Sequence, residues 1–446
     1  MTQLAAAPAW WRRDPDHAIA TAPASGQIIA PTSNDAAFAA LAAFTAILLV
    51  APQAWFPAIK SFRIALLAAG VAIVSHLAGR AFAATPALPV RREMVIALAL
   101  VVWAAFTIPL SIWPGGSLSA LTDHLIKAVV FFWLIGTVIT TTARLELFGW
   151  VLTVCSLPLA VTALDNYRTG VFVTHASSAV QRIAGYVGGS GLAGNPNDLA
   201  LMLNLLLPIT GALFVISKKT WLRAIAGAAL LLSVAAVIVT FSRAGFITLA
   251  AIAVMSLAAM VRRGAAGTAL LIVFLGASAF VLLPSEYFAR LATITNIESD
   301  PTGSAQGRWS DYFLSIDYIR EHPLTGAGLG QDLLALNEAR GHDTWRSVHN
   351  AYLQAAVDLG LPGAALLVAL LLCSFANTRK VQRLARVTTI NLSHLAILAQ
   401  GVRISLVAFA VAAFFHPIAY QFYFFCLAGL AVALVNARRA EVAAAS

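Results

Sequence analysis

The sequence has little charge. Asp, Glu, Lys and Arg make up 11% of its 446 residues, whereas hydrophobic residues make up 60% and the mean hydropathy is +0.83. Soluble domains carry about 25% charged residues. The composition therefore excludes an ordinary soluble protein and predicts a chain that lies largely in a lipid bilayer.

Cysteines and metal-binding patterns are also scarce. The three cysteines, Cys155, Cys373 and Cys426, fall in apolar stretches, which predicts neither a disulfide framework nor a cysteine metal cluster. The sequence has no His-Glu-x-x-His pair, and no Asp-x-Asp pair near the outer ends of its apolar runs. We therefore expect a site that uses no metal ion and no cofactor.

The formal net charge is +10, which in a soluble protein would point to nucleic acid. That interpretation requires the basic residues to gather on one soluble face. They are instead distributed between the apolar runs, so we expect membrane lipid and no nucleic acid as a partner.

Apolar runs of about 17–25 residues match the length of a membrane-crossing helix, and we predict an all-α polytopic protein of about twelve such helices. The breaks at Pro52 and at His416-Pro417 leave room for shorter segments in the first and last pairs. The runs begin near Ala36, Phe62, Met94, Leu118, Leu145, Asn197, Trp221, Gly245, Ala266, Asn350, Ala396 and Pro417.

Short connections rich in Lys and Arg lie on the cytoplasmic side of a membrane, and this rule predicts that both termini are cytoplasmic. Residues 1–35 have no apolar core and resemble a cytoplasmic tail rather than a secretory signal. We expect helices 1–9 over 36–284 with an outer loop at about 165–193, an outer domain over 285–348, helices 10–12 over 349–437 and a tail over 438–446.

The predicted outer domain contains an amphipathic stretch, with Trp309, Tyr312 and Phe313 at helical spacing, followed by a turn at His322-Pro323 and a glycine-rich loop over 326–330. Because the longest connections are on the outer side, we expect the function to lie there.

Arginines at the outer boundary are the first candidates for chemistry. Arg243 lies in a very short turn between two predicted spans, where the headgroup of a lipid diphosphate would lie, and its planar guanidinium suits phosphate oxygens. A snorkelling or helix-capping arginine explains the position equally well. Arg182, in the first outer loop, is a second candidate, for which plain loop charge is the alternative.

Two predicted helix starts face the same side. Asn195 suits the capping position before Pro196, which explains this stretch structurally, although a helix start also attracts anions. Ser347 suits a cap that leaves His349 in a first helical turn, where burial and the helix dipole lower the pKa of histidine and favour a neutral general base. A structural histidine is the alternative, and for His416 we expect a turn role.

Four segments, taken in this order, resemble the O-antigen ligase/polymerase (Wzy_C) superfamily. They are GNPNDLA (194–200), SRAG (242–245), GRW (307–309) with HPLTGAGLG (322–330), and VHNAYLQ (348–354) with GLPG (360–363). The resemblance covers roughly residues 180–375. It implies a GT-C-like membrane fold and a bacterial inner-membrane glycosyltransferase with a periplasmic site, so that the outer domain over 285–348 would be periplasmic.

The resemblance also implies roles for residues at matching positions. His349 would deprotonate the acceptor hydroxyl, and Arg243 would bind the diphosphate of an undecaprenyl-diphosphate-linked glycan. Arg182, Arg308, Asn195 and Asn350 would contribute to substrate binding. Attack at the anomeric carbon would invert its configuration without a metal ion.

Several functions remain open. The span number and the compact outer domain favour an O-antigen ligase, whose acceptor is lipid A–core, by analogy with the family. A polysaccharide polymerase, which extends a second lipid-linked glycan, is the close alternative, and a protein O-oligosaccharyltransferase is the third. A lipid-linked glycan transporter is disfavoured because the unusual residues lie at the outer boundary rather than at mid-span.

Overall fold

A computed structural model describes residues 35–82, 91–173, 182–186, 193–280, 288, 304–341, 345–387 and 392–445. The described part of the chain is helical and contains no strand, so the predicted all-α class is confirmed. Residues 1–34 of the predicted N-terminal tail, part of the predicted outer loop and the first part of the predicted outer domain lie outside the described residues.

We number the α-helices of the described residues in chain order. A π-helical stretch, Leu121–Leu125, joins the helices Pro114–Ala120 and Ile126–Val138. The helices are α1 (Asp35–Val50), α2 (Ile64–Phe82), α3 (Arg92–Thr107), α4 (Pro114–Ala120), α5 (Ile126–Val138), α6 (Thr142–Thr169), α7 (Pro196–Ile216), α8 (Thr220–Val239), α9 (Arg243–Val261), α10 (Ala266–Phe280), α11 (Ser304–Glu321), α12 (Asp332–Ala339), α13 (Ala351–Val387), α14 (Ser393–Ala412) and α15 (Phe422–Ala445).

Ten helical segments of the described chain are long and apolar enough to cross a bilayer. Two shorter apolar helices, α1 and α10, correspond to the remaining predicted runs. The last pair, α14 and α15, has full-length helices of 20 and 24 residues despite the break at His416-Pro417. The short helices are therefore α1 and α10, and the break lies between two complete spans.

Helix α7 lies at the centre of the bundle. In its most apolar stretch 83% of the residues are buried inside the protein, against 11% in α2, whose Leu66 and Leu67 remain exposed on the outside of the bundle. Helix α14 packs against α7 at Gly401, where an added Cβ would lie 2.8 Å from the carbonyl oxygen of Pro208. Such close backbone approach stabilises helix pairs in lipid, where apolar surface gains nothing from leaving solvent.

Helix α13 is broken at Gly360, whose φ of 66° and ψ of −176° suit glycine alone. The N–H of Leu361 donates a 2.8 Å hydrogen bond to the carbonyl of Pro323. An added Cβ at Gly360 would lie 2.1 Å from the carbonyl oxygen of Leu324. The break therefore allows the segment between α11 and α12 to approach the membrane helix closely.

The glycine-rich loop binds the other side of this break. The N–H of Ala327 donates to the carbonyl of Val357, and the N–H of Gly328 to that of Asp358, each at 2.8 Å. A broken helix leaves such carbonyls without their usual partners, and within a bilayer they must be satisfied by protein. The loop thus completes the helix and fastens α11 and α12 to it.

Candidate active site

Arg243 is the first residue of α9, and α8 ends at Val239, so the predicted very short turn is confirmed. Ser242 caps α9, because its Oγ accepts a 3.1 Å hydrogen bond from the N–H of Gly245. The same hydroxyl donates to Oδ1 of Asn197 at 2.8 Å. The turn is therefore hydrogen-bonded to the start of α7, and this bond fixes the backbone position of Arg243 relative to α7.

Arg182 supports this turn from the neighbouring loop. Its Nε donates to the carbonyl of Thr240 at 3.2 Å, and its Nη2 donates to Oδ1 of Asn197 at 2.8 Å. Asn197 therefore accepts from both Arg182 and Ser242 and joins three segments. Sequence reasoning treated Asn197 only as part of a helix start, since its partners are distant in the chain.

Asn195 is the predicted cap of α7. Its Oδ1 accepts hydrogen bonds of 2.9 Å from the N–H groups of Asn197 and Asp198, and its side-chain amide donates to the carboxylate of Asp198. These bonds account for the residue structurally. Its further role in substrate binding stays a prediction.

A buried ion cluster fixes α11 to the segment that precedes His349. Asp311, which is 1% exposed, accepts from Nε of Arg340 at 2.9 Å and from Nε of Arg346 at 2.7 Å. Nη2 of Arg346 also donates to the carbonyl of Gly307 at 2.9 Å. Arg308 and the aromatic residues that follow it are thereby held at one position relative to His349.

The backbone around His349 is held on both sides. The N–H of Val348 donates to Oδ2 of Asp332 at 2.8 Å, and the N–H of Ala351 donates to the carbonyl of Ala413 at 2.7 Å. The expected cap at Ser347 is wrong. Asn350 caps α13 instead, since its Oδ1 accepts from the N–H groups of Tyr352 and Leu353 at 2.9 and 3.1 Å.

Because Asn350 is the cap, His349 lies before α13 and outside its first turn. Ser347 and Asn350 are both residue types that cap helices well. The hydrogen bonds from the N–H of Val348 to the Asp332 carboxylate and from the N–H of Ala351 to the carbonyl of Ala413 fix the backbone so that Asn350 is the cap. His349 therefore belongs to a short irregular segment between α12 and α13.

Two buried carboxyl groups, those of Asp332 and Asp358, hold this segment through hydrogen bonds. Asp332 binds Val348, as described, and its own N–H donates to Oδ1 of Asp358 at 2.7 Å. Burial raises the pKa of Asp332 to about 6. Neither residue was predicted, because the motif patterns around them gave no sign of a long-range contact.

One cavity of about 380 Å³ contains most of the candidate residues. Arg243, Arg308, His349 and Asn350 all line it, whereas Arg182 and Asn195 do not. The remaining lining residues are Ala244, Ile247, Trp309, Asp311, Tyr312, Val348, Leu353, Phe414 and Phe415. The structure thus brings together α9, α11 and the start of α13, which the sequence separates widely.

The surroundings of His349 favour the neutral form of its imidazole. Burial lowers its pKa to about 4, and the positive charge of Arg308 acts in the same direction. An ordinary histidine has a pKa of about 6.5. At neutral pH the imidazole therefore keeps a lone pair that can accept a proton.

His416 is a further histidine close to this site. It is 3% exposed, and its Nδ1 lies 2.9 Å from the carbonyl oxygen of Ala412, in keeping with the predicted turn role. Burial lowers its pKa to about 4, and the charges of Arg308 and Arg182 contribute to this lowering. His416 therefore lies within electrostatic reach of both arginines, which the Pro-turn pattern did not indicate.

The described residues contain no group of three or more His, Cys, Asp or Glu side chains arranged to hold a metal ion. Among the described cavity-lining residues, Asp311 is the single acid, and its carboxylate is taken up by Arg340 and Arg346. Metal-independent chemistry stays a prediction.

Fold and cavity together define a polytopic α-helical membrane protein with arginines and a neutral histidine in one cavity at the ends of its spans. The sequence model of the Wzy_C family, described as O-antigen ligase, matches residues 228–368. The predicted family resemblance is therefore confirmed over this range, which includes Arg243, Arg308, His349 and Asn350. No curated protein matches the chain.

The ion cluster around Asp311 generates a test of the site's architecture. Asp311→Ala is expected to lower the free energy of unfolding by about 3–5 kcal/mol, because the substitution takes the carboxylate away from the buried guanidinium of Arg340, which is 5% exposed. Equilibrium unfolding in detergent micelles measures the loss.

Asp317→Ala is the matched control on the same helix. Its pair with Arg320 is exposed, with 64% and 76% of the two side chains accessible, so the expected loss is at most about 1 kcal/mol. Equal losses in the two variants would contradict the role of the Asp311 cluster.

Proposed function

We propose that the protein is an O-antigen ligase that transfers a glycan from undecaprenyl diphosphate to a sugar hydroxyl of lipid A–core. The family match supports ligase- or polymerase-type glycosyl transfer, and with it a lipid-linked glycan and a lipid-anchored acceptor, in general terms. The observation that carries the finer proposal is that Arg243, Arg308 and neutral His349 line one cavity.

Arg243 and Arg308 form the donor end of the proposed site. Their guanidinium groups are permanently charged and can each form two parallel hydrogen bonds to phosphate oxygens. Negative charge grows on the diphosphate as the bond from the anomeric carbon to its oxygen breaks. Arginines fixed in advance stabilise that charge without rearranging.

His349 is the proposed base. It takes the proton from the acceptor hydroxyl while the hydroxyl oxygen forms a bond to the anomeric carbon and undecaprenyl diphosphate departs with the bonding electrons. Attack opposite the leaving group inverts the anomeric configuration. The imidazolium then releases the proton to water.

The charge of Arg308 couples these two ends. Arg308 lowers the pKa of His349 in the empty site. A bound diphosphate compensates that positive charge and so raises the basicity of His349. His349 would therefore be the stronger base when the donor is bound, and it would stay unprotonated while the donor is absent.

The remaining roles extend the proposal. Asn350 lines the cavity and is placed to contact substrate through its amide nitrogen, since its Oδ1 caps α13. Arg182 holds the turn that carries Arg243, Asn195 caps the neighbouring α7, and substrate binding is the further role proposed for both. We assign the cavity to the periplasmic face of the inner membrane, with both termini cytoplasmic, on the distribution of basic residues.

The experiment is transfer by purified protein in liposomes that contain undecaprenyl-diphosphate glycan and lipid A–core, without ATP. The ligase proposal expects glycan on lipid A–core. Chain growth on the lipid carrier alone would make the protein a polymerase. Movement of the glycan lipid across the bilayer without any new glycosidic bond would make it a transporter.

In this assay His349→Ala is expected to lower the transfer rate by about 10²- to 10⁴-fold, the usual contribution of a general base, and Arg243→Ala to abolish detectable transfer. His394→Ala is the control, since His394 lies at the opposite end of α14 from the cavity and pairs with Glu146. Full activity in either site variant would remove the role assigned to that residue.

The pH dependence tests the coupling through Arg308. The pH dependence of kcat/KM for the donor reports the free enzyme, in which His349 has a pKa of about 4, so kcat/KM is expected to decline only near pH 4. Arg308→Gln removes a positive charge, raises the pKa of His349 and should move this acidic limb to higher pH. Arg308→Lys keeps the charge and should leave the limb in place. An acidic limb that does not move in Arg308→Gln would contradict the coupling.

A further inference from the structure

Helix α11 leaves an aromatic face unburied. Trp309, Tyr312 and Phe313 are 59%, 41% and 50% exposed. The amphipathic stretch predicted from the sequence forms part of this helix, but its aromatic side chains are not the buried ones. The helix instead buries Asp311 and Ser315, which are 1% and 0% exposed, on its polar side.

The three rings are nevertheless held in a regular arrangement. The planes of Trp309 and Tyr312 differ by 12° with centroids 6.1 Å apart, so their faces are directed alike. Phe313 stands nearly perpendicular to both, at 5.3 Å from Trp309 and 5.8 Å from Tyr312. Phe313 thus braces two parallel rings, which we call the aromatic platform (Trp309 and Tyr312).

The platform is continuous with the proposed active site. Trp309 and Tyr312 line the same cavity as His349 and Arg308, whereas Phe313 does not. The Asp311 cluster also binds α11 to the segment that leads to His349. The platform and the proposed base are therefore parts of one rigid unit.

Sugar rings suit such a surface chemically. The face of an aromatic ring is electron-rich, and the C–H groups on one side of a pyranose carry small positive charges. The stacked, partly exposed rings of Trp309 and Tyr312 offer an open aromatic face in the cavity that contains the proposed base. A purely lipid-facing role would not require two of the rings to line the cavity.

We propose that the aromatic platform binds the acceptor sugar ring in the cavity that contains His349. This inference rests on the proposed function and specifies its acceptor subsite. The acceptor is favoured over the donor glycan because the rings lie in the cavity of the base that takes the proton of the acceptor hydroxyl, and because both rings are partly exposed to an incoming sugar.

The test uses the water-soluble oligosaccharide obtained by removing the acyl chains from lipid A–core, at fixed saturating donor. Trp309→Ala and Tyr312→Ala are expected to raise the acceptor KM by roughly 3- to 10-fold, the range given by loss of an aromatic contact, with kcat nearly unchanged. Trp309→Phe should recover part of the affinity. Trp345→Ala is the control, since Trp345 is 61% exposed but does not line the cavity.

Calorimetric binding of the same oligosaccharide to His349→Ala protein, with and without Trp309→Ala and with no donor present, separates the two proposals. Binding that is weaker by roughly 3- to 10-fold in the Trp309→Ala protein supports the platform even if transfer is absent. Unchanged acceptor KM, an equal effect from Trp345→Ala, a rise in donor KM alone, or an effect seen only with the acylated acceptor in bilayers would each overturn it, the last by assigning the rings to the membrane surface.

Discussion

Irregular backbone buried among membrane helices must find its hydrogen-bond partners within the protein, and the structure around the cavity depends on this constraint. Asp332 receives the N–H of Val348, Asn350 closes the start of α13, and the glycine-rich loop completes the break at Gly360. These bonds hold the irregular segment that carries His349. These buried polar side chains therefore fix the backbone on both sides of His349.

The charged side chains divide between the ion cluster around Asp311 and the arginines of the cavity. Asp311 is paired with Arg340 and Arg346, and its charge offsets part of the lowering of the His349 pKa that burial and Arg308 cause. Arg243 and Arg308 then give the cavity a positive character suited to an anion. A histidine in such a place is kept neutral by burial and by its neighbour, which is the protonation state that proton abstraction requires.

Local rules predicted much of this arrangement. Hydropathy identified the apolar helices, and capping patterns placed the start of α7 at Asn195. They failed at α13, because Ser347 and Asn350 are both good caps and only the distant Ala413 and Asp332 decide between them. Local spacing carries no information about such contacts.

The same limit applies to the aromatic residues and to the ion cluster. Periodicity showed that α11 has an apolar face but not whether protein, lipid or sugar covers it. The Asp311 pairs with Arg340 and Arg346 join residues 29 and 35 positions apart, beyond the reach of any helical pattern. The family motifs supplied part of this missing information, since the segments that contain Arg243 and His349 belong to one ordered set.

The central claim is that the cavity holds the donor diphosphate between two arginines, with the base on the side where the acceptor enters. The most direct measurement is a cryo-electron microscopy map of the protein in lipid nanodiscs with bound undecaprenyl-diphosphate glycan. The account predicts diphosphate density within hydrogen-bond distance, about 3.2 Å, of the guanidinium groups of Arg243 and Arg308, with His349 facing the anomeric carbon from the opposite side. Diphosphate bound outside this cavity, or His349 turned away from the sugar, would contradict it.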